Sequence, residues 1–282
     1  MKNLSRKILR LSIFTLSLVA CTLISTPSRS EGRFITLAST TSTQNSGLFD
    51  YLLPKFTEKF GIEVRVVAVG TGQALKLGEN GDADVLLVHD KAGELKFVKQ
   101  GYGVNRREVM YNDFVIVGPK SDPAGVRGSK DAVDSLRHIA NSESNFISRG
   151  DDSGTNRQEL RLWDEAGIDA RASSGKWYKE VGAGMGATLN TAAGVEAYTL
   201  TDRATWMSFK NRASLKLLVE GDKRLFNQYA IIEINPAIHK TVKVAEAKQF
   251  ADWLVSPEGQ KVIGEYMIDG QVLFHPNAAG SP

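Results

Sequence analysis

Cysteine is almost missing: the 282 residues contain one, Cys21, so neither a disulfide framework nor a cysteine-based metal site organises this chain. Histidine is scarce as well. The four (His89, His138, His239, His275) stand in no metal-ligand spacing. No Gly-x-Ser-x-Gly elbow occurs, because Gly150-Asp151-Asp152-Ser153-Gly154 has the wrong spacing for one. Low-complexity linkers and short-period repeats are absent, and the main apolar run, Leu11 to Ile24, is too short for a comfortable membrane span. These absences exclude a stapled secreted mini-domain and a helical membrane protein. They also leave an esterase or metallohydrolase without its usual signals.

A soluble one- or two-domain globular protein is what remains, 42% hydrophobic and 24% charged, and long enough to bury a full core. Residues 1–30 read differently. Lys2, Arg6, Lys7 and Arg10 precede the apolar run, and the first acidic residue is Glu31, the pattern of a secretory signal. Small residues Ser28 and Ser30 place cleavage before Glu31. A second outcome fits too: Leu18-Val19-Ala20-Cys21 is similar to a lipobox, which would leave a lipid anchor at Cys21. Five of the 35 basic side chains and none of the 32 acidic ones lie in residues 1–30. Residues 31–282 therefore carry 30 against 32, a net charge of −2 rather than the +3 of the whole chain. The whole-chain pI of about 8.8 thus gives no support to nucleic-acid binding.

From Phe34 onward, strand-like and helix-like segments alternate, which predicts an α/β protein with mostly parallel sheets. "RFITLAST", "EVRVVAVG", "DADVLLVHD", "VMYNDFVIVGP", "NFIS", "ATWMSF", "LKLLV" and "YAIIEINP" read as strands. Leu48, Phe49, Leu52, Leu53, Phe56 and Phe60 form a helical stripe with Pro54 inside it, so a kink or a break is expected there. Helices are also expected over 131–141 and 155–166, and two more near the end, parted at Ser256-Pro257. Two domains without a linker imply that the chain crosses between them on strands, best at Val109–Gly118 and Tyr229–Asn235.

Four corners share one chemistry. Ser39, Thr40, Thr41 and Ser42 follow the first strand, and Gly70, Thr71 and Gly72 follow the second. Arg149 to Thr155 ("RGDDSGT") and Gly182 to Gly186 ("GAGMG") follow later ones. Each combines small residues with hydroxyls or free N–H groups at a helix start, where unpaired N–H groups carry partial positive charge. Alone, each reads as an N-cap or a tight turn; together they read as an anion site made of backbone and hydroxyls. Arg149, always charged, either pairs with Asp151 or Asp152 alone or turns its remaining donors to a small oxyanion.

The chain resembles the tungstate-binding proteins of bacterial ABC importers, within the two-domain periplasmic binding proteins. The likeness rests on "STTSTQNSGL", "VAVGTGQALKLGENGDADVLLVH", "VMYNDFVIVGPKSDPAG", "SRGDDSGT", "VGAGMGATL" and "AYTLTDRATW", which together run through nearly all of residues 31–282. It implies a periplasmic, monomeric carrier whose two α/β lobes close at a hinge over an anion: residues 31–113 with 233–282, and 114–232. It implies tungstate, or the nearly identical molybdate, as ligand, no cofactor or metal site, and an ABC permease with its ATPase as partners. Carried over to this chain, Thr40 and Thr41 would bind from the first lobe, with Thr71 a further member. Arg149, Ser153, Gly154 and Thr155 would bind from the second, and Gly184, Met185 and Gly186 would add backbone N–H groups. Tungstate carries no proton at neutral pH, so donors alone suit it, whereas phosphate-binding relatives place a carboxylate after a first-lobe strand. Here Asp90 stands in such a position, either lining the cleft or charging the start of the next helix.

Two other classes compete with this. An exported phosphate or sulfate ester hydrolase would use Ser153 or Thr155 as nucleophile, and no base or metal cluster adjoins them in the sequence. An adhesion module would expose the Arg149-Gly150-Asp151 tripeptide to solvent.

Overall fold

The hydroxyl-rich tail of the first strand explains how the described chain starts, in a computed structural model that describes residues 32–278. The leader expectations for residues 1–30, with Cys21 and cleavage before Glu31, lie outside those residues. β1 (Phe34–Thr40) ends on Thr40, whose side chain accepts from the Thr43 N–H and caps the short α1 (Thr41–Asn45). α2 (Leu48–Phe60) buries Leu48, Phe49, Leu52 and Phe56, as its stripe predicts. It is not broken at Pro54. One lost backbone bond costs less than the burial of that stripe returns.

β2 (Glu63–Val69), α3 (Thr71–Asn80), β3 (Val85–Val88) and α4 (Lys91–Lys99) continue the alternation. β4 (Gly103–Pro119) is the longest strand described. α5 (Ala132–Asn141), β5 (Phe146–Ser148), α6 (Gly154–Glu165), β6 (Tyr178–Glu180) and α7 (Met185–Gly194) follow. After β7 (Thr199–Asp202) comes a correction: "ATWMSF" is not a strand but α8 (Arg203–Ser208). The Asp202 carboxylate accepts from the Thr205 N–H, and that cap prevails over the β-propensity of the aromatic residues. β8 (Leu215–Val219), β9 (Phe226–Ile234), α9 (Val244–Leu254) and α10 (Pro257–Gly264) come next, with Ser256 capping α10 and Pro257 opening it. Three two-residue strands close the described chain: β10 (Met267–Ile268), β11 (Gln271–Val272) and β12 (His275–Pro276).

The main sheet runs β12-β4-β9-β3-β1-β2, with β7 and β8 paired to the far end of β4. The α/β class is as expected, but the sheet is mixed. β1 pairs parallel with β2 and β3, and β5 with β6, whereas β9 returns antiparallel against β3 and β4. A strand buried on both faces reads as a continuous apolar run in either direction, so the pattern did not reveal this.

Four buried clusters lie against the strands, two to each part of the sheet. Val85, Leu87 and Ile231 face Phe49, Phe56 and Phe250, while Leu86, Val88 and Ile232 face Ala74 and Phe97 on the opposite side. The same alternation recurs at the far end of β4. Phe114 and Ile116 join Leu136, Trp163 and Tyr198, and Val115 and Val117 join Met185 and Leu189. β4 thus feeds both pairs of clusters, through Val109 and Met110 and then through Phe114–Val117. Among the described residues no helix is long and apolar enough to cross a membrane.

Candidate anion-binding site

The four corners meet. Arg149, at the end of β5, donates from Nη2 to Thr41 Oγ1 (3.2 Å), at the start of α1. Gly154, the first residue of α6, donates its N–H to Thr71 Oγ1 (2.8 Å), at the start of α3. Gly70 lies so close to the third corner that a Cβ there would sit 3.2 Å from the Asp151 carbonyl. A Cβ on Gly184, which heads α7, would sit 3.8 Å from Thr41 Oγ1. At Gly70 the near approach of the Asp151 backbone leaves little room for a side chain.

Two buried donors in this meeting place have no partner. Arg149 is 1% exposed. Asp151 Oδ2 accepts from its Nη2 (2.5 Å) and Nε (3.2 Å), yet Nη1 pairs with nothing. Thr155, also 1% exposed, has an unpartnered hydroxyl. A buried guanidinium N–H and a buried hydroxyl left unbonded each cost free energy, a cost that an acceptor reaching them would remove. Arg149 therefore does both things open to it: it pairs with Asp151 and still keeps a donor free. The buried arginine excludes the exposed Arg-Gly-Asp display of an adhesion module.

The other expected residues divide by what their polar atoms already do. Thr40 Oγ1 caps α1 and contacts Ser42 Oγ, Thr43 Oγ1 and His89 Nε2 within 3.1 Å, so its hydroxyl is tied into the protein. Ser153 Oγ caps α6 by accepting from the Asn156 N–H, and the Gly154 N–H is taken by Thr71. The Met185 side chain lies in the apolar cluster with Val115 and Leu189, which leaves only its backbone for an anion. Gly184 caps α7 without any side-chain bond, so the N–H groups that open α7, at Met185 and Gly186, have no capping side chain.

Asp90 is 3% exposed at its side chain and makes no cap bond to α4. Instead its carboxylate accepts from Arg157 (2.7 Å) and Arg161 (3.2 Å), both on α6. Asp90 does stand at the start of α4, as the helix-charge alternative has it, but its arginine partners, 67 and 71 residues away, were not legible in the sequence.

The sequence reading also missed the parts played by His89, Asn227 and Asp202. His89 Nε2 lies 3.1 Å from Thr40 Oγ1 and 3.2 Å from Ser42 Oγ, its Nδ1 lies 3.0 Å from Asn227 Oδ1, and its ring stacks on Tyr229. Burial, aided by the charge of Arg149, pushes the ring down to about 4, so it is neutral at physiological pH. Asn227 Nδ2 already donates to Asn112 Oδ1 (2.6 Å), so Nδ1 of His89 carries the proton and Nε2 accepts from a hydroxyl. Ser42, His89 and Asn227 have the spacing of a nucleophile, base and orienter, but a base pushed to about 4 abstracts protons poorly and Ser42 is 1% exposed. Asp202 keeps Oδ1 buried and unpartnered; burial raises its carboxyl, and Arg149 opposes that rise. Among the described residues no three His, Cys, Asp or Glu side chains are placed to hold a metal ion. An open groove of about 620 Å³ touches His89, Asp90 and Asn227, but none of Thr41, Arg149 and Thr155 lines it.

Residues 25–258 match the PBP superfamily domain. Over 99% of its length the chain is 46% identical to the tungstate-binding protein TupA of Peptoclostridium acidaminophilum, all of which is covered. The solved tungstate-binding protein TupA from Desulfovibrio alaskensis G20 superposes with a TM-score of 0.74 at 48% identity, over 87% of this chain and 99% of that one. The tungstate ABC transporter structure from Geobacter sulfurreducens gives 0.75 at 50% identity, over 83% and 98%.

Proposed function

Because the chain belongs to the PBP superfamily, we propose that it is an extracytoplasmic carrier that captures tungstate and delivers it to an ABC permease and its ATPase. The observation that carries the reading is the pair of buried donors without partners, Arg149 Nη1 and Thr155 Oγ1, beside the uncapped start of α7. Tungstate is a tetrahedral dianion without a proton at neutral pH. A pocket of donors suits it, while Asp90, the carboxylate that a protonated phosphate would need, is occupied by two arginines.

In this reading the chain has two lobes, 31–113 with 233–282 and 114–232, joined through β4. β9 returns the chain to the first lobe, so residues 226–232, which the sequence bounds put in the second lobe, are counted with the first: Ile231 and Ile232 pack in its cores. Thr41 and Thr71 approach from the first lobe; Arg149, Thr155, and the Met185 and Gly186 N–H groups approach from the second. Thr40, Ser153 and Gly154 act by holding these helix starts in place. The described conformation is the closed one, because Thr41–Arg149 and Thr71–Gly154 bridge the lobes. Release follows opening about β4, a hinge motion. The carrier works as a monomer in the periplasm and performs no catalysis.

Calorimetric titration of residues 31–282 tests this. Tight 1:1 tungstate binding that molybdate contests and excess phosphate does not displace supports it. Tight phosphate binding, or turnover of a chromogenic phosphate ester, overturns it.

A further inference from the structure

Helix α6 carries a second set of contacts beyond its anion-binding turn. Arg157 donates from Nε and Nη2 to the two oxygens of Asp152 (2.7 and 2.8 Å) and from Nη1 to Asp90 Oδ2 (2.7 Å). Four residues on, the same face presents Arg161, whose Nη1 donates to Asp90 Oδ1 (3.2 Å). Asp90 stands at the head of α4, directly after His89, and its carboxylate is withdrawn from solvent.

The chain leaves room for this contact at two helix starts. A Cβ on Gly72, in the first turn of α3, would clash with the Asp152 carboxylate and sit 2.9 Å from Arg157 Nη2. A Cβ on Gly93, in the first turn of α4, would sit 2.7 Å from Asp90 Oδ2 and 3.1 Å from Arg157 Nη1. Neither glycine has a positive φ, so what their bareness provides is space for the Arg157 fork rather than backbone freedom.

We propose that Asp90, Arg157 and Arg161 form an ionic clasp that sets how long the anion is retained, as positioning residues that never touch it. The proposal rests on the carrier reading above. Arg157 and Arg161 ride on the helix that brings Thr155 to the anion, and Asp90 sits beside the corner that meets Gly154. Opening the site parts the clasp, and forming the clasp seats Thr155 and Arg149. Breaking a desolvated charge pair acts chiefly on dissociation rates.

Asp90→Asn separates this from simple electrostatics, because the two predict opposite signs. Removing a negative charge near a bound dianion tightens binding if only the field matters. If the clasp matters, the same isosteric change speeds release by about tenfold or more and leaves the association rate within about threefold. Gly72→Ala changes no charge, fills the space Arg157 needs, and is expected to speed release likewise. Loaded protein is chased with excess molybdate, and the retained tungsten is counted after rapid desalting; association is followed in parallel. Melting of the ligand-free variants checks folding, and Gly72→Ala decides if Asp90→Asn does not fold. A wild-type protein that binds no tungstate overturns the carrier reading and the clasp with it. A wild type that binds, with release from both variants unchanged or slowed, overturns the clasp alone.

Discussion

Arg149→Ala removes the centre of the site, and its cost follows from the contacts. The side chain is buried and held by Asp151 through Nη2 and Nε, with Nη1 left for the anion and Nη2 also touching Thr41. Truncation deletes at least one charge-assisted bond to the ligand, about 1.5–3 kcal/mol. It also strands the Asp151 carboxylate. That stranding lowers the stability of the free and the bound protein alike, so on Kd it acts only through the repulsion of the dianion by the bare carboxylate, whose side chain is 16% exposed, about 1.4 kcal/mol. The lost bond and the repulsion together amount to about 3–4.5 kcal/mol, or roughly a 100- to 2,000-fold rise in Kd. Isothermal titration with tungstate reads that directly. The double variant Arg149→Ala/Asp151→Ala is expected to recover part of the loss, on the order of tenfold, because no bare carboxylate then opposes the dianion. A single variant whose Kd lies within about threefold of wild type refutes the assignment of the site. A double variant that binds no better than the single refutes the share given to Asp151.

Thr155→Val keeps the shape and deletes an unpartnered hydroxyl, so tungstate affinity should fall about tenfold while the ligand-free melting temperature holds or rises, as calorimetry can show. Glu159, buried and accepting from Trp163 Nε1 (3.1 Å) and Tyr178 Oη (2.8 Å), is pushed up to about 7, chiefly by burial. A raised carboxyl contributes stability that is complete below about 4.5 and is lost as pH rises through about 7. The ligand-free protein should therefore unfold more readily in urea at pH 8 than at pH 5, and Glu159→Gln should flatten that slope. Gly259→Ala places a methyl against the Trp253 carbonyl in the first turn of α10; the overpacking should cost about 3 kcal/mol in the same denaturation assay.

What the sequence disclosed was local. Arg149 and Thr155 stand within one short motif at a strand end, and hydroxyls or glycines at helix starts report their own geometry, so the corners were legible one by one. Their division of labour was not. Thr40 and Ser153 look like ligands as readily as caps, and only the contacts show that caps are what they are. His89 escaped notice because its partner Asn227 lies 138 residues away. Arg157 and Arg161 carried no sequence signal, because the carboxylate that engages them belongs to another corner. Strand direction was hidden for a related reason: β9 is buried on both faces, and its apolar stretch, residues 229–232, reads the same whether it runs with β3 or against it.

The central claim is a position, the space between Arg149 Nη1, Thr155 Oγ1 and the first turn of α7. Crystals of residues 31–282 grown with tungstate, measured at a tungsten absorption edge, locate the metal without reference to the protein atoms. One strong anomalous peak within oxyanion reach of Arg149, Thr155 and the Met185–Gly186 N–H groups is the expected result. A peak elsewhere, such as the groove beside Asp90 and Phe226, or no peak from protein soaked in excess ligand, contradicts it.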